Sequence, residues 1–221
     1  IANATNPYDN VAIGNYAGYD MTTGFNHTLV GYYAGGNLTD ADSNTAIGKN
    51  ALYSAVTSDD TVAIGFDALY SQTVDGSSYN TVIGTKAGRS LTTGTENTIV
   101  GYRAGYEMGV GASSNTLIGT WAMYSLGDGD DNVAIGLNAA QNAGDANNCV
   151  FVGSKAGGVG VITGDANIAI GYQAGYNLTA GEKNQFIGKD AGYANTTGNY
   201  NVGIGHNALY TNVDGEYNTA I

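Results

Sequence analysis

Asn132-Val133-Ala134-Ile135-Gly136-Leu137-Asn138-Ala139 decides the fold, because the chain repeats this frame from one end to the other. Its centre is Ile or Val, then Gly, two free positions and Ala. The glycine recurs twelve times, at Gly14, Gly31, Gly48, Gly65, Gly84, Gly101, Gly119, Gly136, Gly153, Gly171, Gly188 and Gly205. Neighbouring glycines are 17, 17, 17, 19, 17, 18, 17, 17, 18, 17 and 17 residues apart. A period in this range marks stacked repeats, each burying its apolar side against the next. The expected architecture is all-β: a parallel β-solenoid or β-roll of about twelve coils of 17–19 residues, one domain over residues 1–221. The last residues, Asn218-Thr219-Ala220-Ile221, begin a thirteenth repeat, so the chain reads as a segment of a longer protein.

Counting from the glycine as position 0, position −1 is Ile or Val in all twelve repeats. Position −3 is mostly Thr or Val, and position −2 is apolar or small throughout. These are strand-forming residues with no competing helical stripe, so each repeat contributes a short strand, and stacked coils pair those strands in parallel. Side chains alternate along a strand. The uniform −1 file therefore predicts the inside of the coil, and −2 the opposite face. Because −2 carries Leu29, Ile99, Leu117, Phe151 and Phe186, that opposite face must also be covered. These five residues are the expected oligomer interface, against further copies of the chain.

Position +3 is Ala without exception, which predicts a close backbone approach, and the glycine predicts a positive-φ bend. Length varies between +5 and −4, in residues 71–79, 107–114 and 158–166, as expected of outward turns. Position −4 is Asn at Asn10, Asn44, Asn80, Asn97, Asn115, Asn132, Asn167, Asn184 and Asn201, predicting a structural ladder of side-chain amides from coil to coil. Position +5 is often Tyr, as at Tyr53, Tyr70, Tyr106 and Tyr124. Such a file can stack on itself, or, with Trp121 at +2, present aromatic surface to a glycan.

Composition narrows the function classes. With 19 acidic and 7 basic residues the net charge is −12, which argues against nucleic acid or an anionic membrane as partner. No apolar stretch approaches the roughly 20 residues that span a bilayer. The single Cys149 takes the −4 ladder site, where a buried inert thiol is expected, and it forms no internal disulfide. His27 and His206 are many repeats apart, and Gly48-Lys49-Asn50 lacks the spacing of a phosphate loop, so no catalytic residues and no enzyme are expected. The acidic turn holding Asp128, Asp130 and Asp131 offers oxygen ligands for Ca²⁺ without matching a known calcium loop; solvated turns are the plainer reading, and no cofactor is required.

The runs Asn44-Thr45-Ala46-Ile47-Gly48-Lys49-Asn50-Ala51 and Asn132 through Ala139 resemble repeats of phage and giant-virus fibre proteins, and are similar to the head repeats of trimeric autotransporter adhesins. The resemblance spans residues 10–221 through a short motif. It implies a non-enzymatic, extracellular fibre of three chains, a tail fibre or a surface adhesin, that spaces or presents receptor-binding elements. The adhesin repeat is shorter, about 14 residues, so the second half of the coil must differ. Ala174-Gly175-Tyr176-Asn177-Leu178-Thr179-Ala180-Gly181 also resembles bacterial ice-nucleation repeats, which makes an ice-binding solenoid the alternative, with a carbohydrate-binding β-helix a third. The Thr-Thr-Gly turns at Thr22, Thr92 and Thr196 are interrupted by acidic turns, which counts against an ice template.

Overall fold

In the computed structural model, which describes residues 8–158 and 160–221, every element is a β-strand and every pairing is parallel. The protein is a parallel β-solenoid of about twelve coils. The chain groups into two compact units, Ile1–Ser113 and Ser114–Ile221, and the division falls in one of the lengthened turns that the glycine spacing marks.

The first unit holds the strands Val11–Ile13, Thr28–Val30, Thr45–Ile47, Val62–Ile64, Thr81–Ile83 and Thr98–Val100. Each pairs with the next in register, Val11 with Thr28, Thr28 with Thr45 and so on, so that equivalent repeat positions lie side by side. A short second ladder joins Ser58–Asp59 to Gly76–Ser77. In the second unit, Thr116–Ile118, Val133–Ile135, Val150–Val152, Ile168–Ile170, Gln185–Ile187, Val202–Ile204 and Thr219–Ala220 pair in the same way. There Ser125–Leu126 runs beside Asn142–Gly144, with a register irregularity after Ser125.

Why the glycine cannot vary follows from how closely the coils stack. Gly136 has φ +137°, and a Cβ placed on it would lie 2.6 Å from the carbonyl oxygen of Gly153 in the next coil. Any side chain would meet rigid backbone in a region of φ that L residues rarely enter. The +3 alanines close the turn behind it, their N–H groups donating to the glycine carbonyl, as from Ala139 to Gly136 at 3.4 Å. Eleven of the twelve are buried, from Ala17 to Ala191.

The two faces of the strand are reversed relative to the sequence expectation. Leu29, Ile99, Leu117, Phe151 and Phe186 are fully buried inside their own coils, so they cannot form the interface between chains assigned to them. The −1 residues point outward instead, with Ile83, Ile118, Ile135, Ile170 and Ile204 each 36 to 38 % exposed. Alternation along a strand separates two sets of residues but does not say which set faces in. What decides it is the rest of the coil, which folds back over position −2. Positions +3, +4 and +7 supply the opposing wall, through Ala34 and Leu38, Ala51 and Leu52, or Ala122, Met123 and Leu126, all buried. A 17-residue coil thus has enough material to close its own core.

Candidate functional site

The buried ladder is the most organised polar feature. Asn44, Asn80, Asn97, Asn115, Asn132, Asn167, Asn184 and Asn201 are all buried to 1 % exposure or less. The amides of Asn44, Asn80, Asn115, Asn132, Asn167, Asn184 and Asn201 each bridge to the following coil twice. Asn184 Oδ1 accepts the N–H of Asn201 at 3.0 Å, and Asn184 Nδ2 donates to the carbonyl of Gly198 at 2.8 Å. Asn132 repeats the pattern with Cys149 N–H and the Ala146 carbonyl. A side chain with one acceptor and a two-hydrogen donor at fixed geometry is what this position needs. Without it, one backbone N–H and one carbonyl per coil would be buried unpaired, at about 1–3 kcal/mol each.

Two other residues hold rungs of this ladder. His27 accepts the N–H of Asn44 at Nδ1 (3.1 Å), while Nε2 lies 2.7 Å from the Ala41 carbonyl. Because Asn44 N–H can only donate, the ring is the neutral Nε2–H tautomer, and it imitates an Asn. Burial pushes its pKa below the usual value, against the pull of its hydrogen bonds and of Asp42 and Asp59. Sequence reading set His27 aside as a catalytic candidate without noticing that it occupies offset −4 from Gly31. Cys149 Sγ accepts the N–H of Asn167 at 3.4 Å, and burial pushes the thiol up to about 11. A thiol so protonated at neutral pH is a poor nucleophile.

A second ladder was missed entirely. At offset −6, Asp42 accepts the N–H of Phe25 and Asp59 that of Asp42, at 3.1 and 2.7 Å. In the second unit Asn147, Asp165 and Asn199 accept from Asp130, Asn147 and Glu182 at 2.8 Å each. Side-chain oxygens at this offset cap backbone donors of the preceding coil, which explains part of the acidic excess without a ligand. Asp128 and Asp131 are exposed and Asp130 half-buried. Among the described residues, no group of three or more His, Cys, Asp or Glu side chains is gathered so as to hold a metal ion.

The +5 tyrosines stack. Tyr53 and Tyr70 lie 5.1 Å apart at 14°, and Tyr176, Tyr193 and Tyr210 form a column with 5.0 Å steps. Arg89 occupies the same offset, its guanidinium 5.0 Å from Tyr70 and 6.0 Å from Tyr106. Most ring faces in these columns are covered by neighbours, leaving edges and hydroxyls for contact with anything outside. Tyr124 and Trp121 are half-buried on the same turn of their coil.

No protein-family model, curated protein or solved structure matches the chain. Its functional reading therefore rests on its own surfaces. The outward Ile/Val file is the most uniform of them, and among the described residues no helix is long and apolar enough to cross a membrane.

Proposed function

We propose that the chain is a non-enzymatic structural segment of an extracellular fibre, in which copies of the solenoid pack side by side through the outward Ile/Val file. A phage tail fibre is the first reading and a bacterial surface adhesin the second. The carrying observation is the sorting of two neighbouring outward positions. Thr, the polar near-isostere of Val, is common at −3, at Thr28, Thr45, Thr81, Thr98 and Thr116, and never occurs at −1. Strand propensity alone would admit Thr at both. A half-exposed file that excludes hydroxyls in every coil behaves as a surface that is dry in its working state. The two outward positions of twelve strands amount to twenty-four side chains, within the roughly 20–30 per partner of a standard interface. The file repeats at the coil step, and a second copy of the chain repeats at that same step, so every residue finds an equivalent partner. Three copies is the number the fibre resemblance implies.

An ice-binding role is disfavoured by how the turn threonines are used. The hydroxyls of Thr22, Thr39, Thr179 and Thr196 donate to carbonyls of the next coil, at 3.0 to 3.3 Å. Donors spent within the chain are not an array presented to a lattice. Light scattering during size exclusion tests the proposal. A mass near three times the 22.5 kDa of one chain is expected. It should fall to a folded monomer in the double variant Ile135→Lys, Ile170→Lys. A wild-type monomer at all concentrations would refute self-packing of this segment.

A further inference from the structure

The first unit carries a cationic aromatic strip on the turn that follows each strand. At offsets +1, +2 and +5 its six coils place eighteen residues, of which nine are Tyr or Phe and four are Lys or Arg. Those four, Lys49, Lys86, Arg89 and Arg103, are all the cations the unit has, against ten acids. Asp67 is the single acid at these offsets. It is nearly buried, accepts from Asn50 at 3.0 Å, and lies 3.6 Å from Arg89.

The other three cations rest on rings rather than carboxylates. Lys49 Nζ is 5.8 Å from the centroids of both Tyr32 and Phe66, Lys86 Nζ is 5.7 Å from Phe66, and the Arg103 guanidinium is 5.2 Å from Tyr102 and 5.3 Å from Tyr106. In the second unit Lys183 and Lys189 each lie within 4 Å of an adjacent carboxylate, Glu182 and Asp190, while Lys183 Nζ also lies 5.2 Å from the Tyr200 centroid and Lys155 is in no ion pair among the described residues. In a chain with nearly three acids per base, cations without a carboxylate partner gathered on aromatic ground are a selected arrangement. A cation over a ring is held in place at about 0.5–1 kcal/mol while its charge stays available. Tyr32, Phe66 and Tyr102 are themselves exposed, at 39 to 44 %.

We propose that this strip of the first unit binds an acidic polysaccharide, a chain of uronic-acid type lying along the coil stack. Carboxylates spaced along an extended sugar chain meet Lys49, Lys86 and Arg103, and the C–H surfaces of its rings meet the exposed parts of Tyr32, Phe66 and Tyr102. A sugar residue advances along such a chain by a distance close to the step between coils, so charge and ring contacts recur in phase. Single-stranded nucleic acid fits less well. Its phosphates are spaced more widely along the strand than the step between coils. The net charge of −12 opposes either polyanion alike, so binding rests on the local cations of the strip and should weaken as salt rises.

The test is titration calorimetry of the whole 221-residue chain with hexagalacturonate, its fully methyl-esterified form, and an oligothymidylate of similar length. Binding of the acid form is expected, with affinity lowered at least about tenfold by esterification and again by the triple variant Lys49→Gln, Lys86→Gln, Arg103→Gln. The double variant Lys155→Gln, Lys189→Gln should stay within about twofold of wild type, because neither residue belongs to the strip. Melting curves and light scattering should be unchanged in both variants, which separates loss of the strip from loss of fold or of self-packing. No binding of the acid form at low salt, equal binding of the ester, or full affinity in the triple variant would overturn the proposal. Tighter binding of the oligothymidylate would reassign the strip to nucleic acid.

Discussion

Two residues before the glycine the chain uses Gly, Ala, Val, Leu, Ile and Phe; one residue later it uses only Ile and Val. The first position is buried and the second half-exposed, so variability and burial run opposite to the usual pattern for a globular surface. The interior varies because three positions share one volume. In the coils with Leu29, Ile99, Phe151 and Phe186 at −2, position +4 is glycine and the large side chain reaches across; a Cβ on Gly192 would sit 2.4 Å from the Phe186 ring, though Gly175 is paired with the small Ala169. Where +4 is Leu52 or Leu69, the −2 residue shrinks to Ala46 or Ala63. Each coil fills its own section at native density by a different division of side chains. The outer file has no such partner within its coil, and so no compensation that would let it vary. The proposed side-by-side packing of copies would account for its uniformity.

Four measurements press on that contrast. The largest effect is expected from Phe186→Ala, which should lower stability by about 3–5 kcal/mol in denaturant titration. If it dissociated assemblies and left monomer stability intact, the inward assignment of position −2 would be wrong. Asn184→Ala should follow, at about 2–3 kcal/mol, because it leaves the buried N–H of Asn201 and the carbonyl of Gly198 without partners. A loss below about 0.5 kcal/mol would mean water takes over the rung.

His27 gives a smaller, pH-dependent effect. Its folded pKa is lowered, so the unfolded chain binds a proton first as pH falls. Stability present above about pH 6.5 should therefore decline as pH drops through that value toward the folded pKa, and His27→Asn should abolish this part of the dependence. A melting temperature with identical pH dependence in the two proteins would exclude the neutral-rung role. Smallest of all, Ile170→Thr should change the stability of a single chain by under about 1 kcal/mol, while weakening self-association by about tenfold or more. Equal association would show that the outer file is not desolvated.

Much of the fold was legible from periodicity alone, down to the residues of the strand before each glycine and the offset of the amide ladder, though not the short second strands such as Ser58–Asp59 and Ser125–Leu126. The Gly and Ala files announced close approach because only the smallest side chains occur there. The inner and outer faces were misassigned because a two-residue alternation carries no sign. The sign lay in Leu38, Leu52 and Leu126, whose offsets from the glycine looked like scattered turn residues until the coil closed over Leu29, Ala46 and Leu117. The ladder at −6 was hidden by its mixed occupants, Asp42, Ser113, Asn147 and Asn199, which share a geometry and not a residue type. Arg89 disguised the aromatic column in the same way, standing at an offset otherwise rich in Tyr.

The amide ladder connects each coil only to its neighbours, and Cys149 Sγ is as indifferent to which asparagine follows as Asn167 is to which precedes it. Excising residues 167–183 as a block would set Ala166 before Asn184, and the N–H of Asn184 would meet the sulfur that Asn167 met before. Glycine would again face glycine across the stack, and Val150 would pair with Gln185 where it had paired with Ile168. Recombination between repeats can therefore lengthen or shorten such a gene in whole coils without repair elsewhere, so that length evolves as a count of modules independently of sequence.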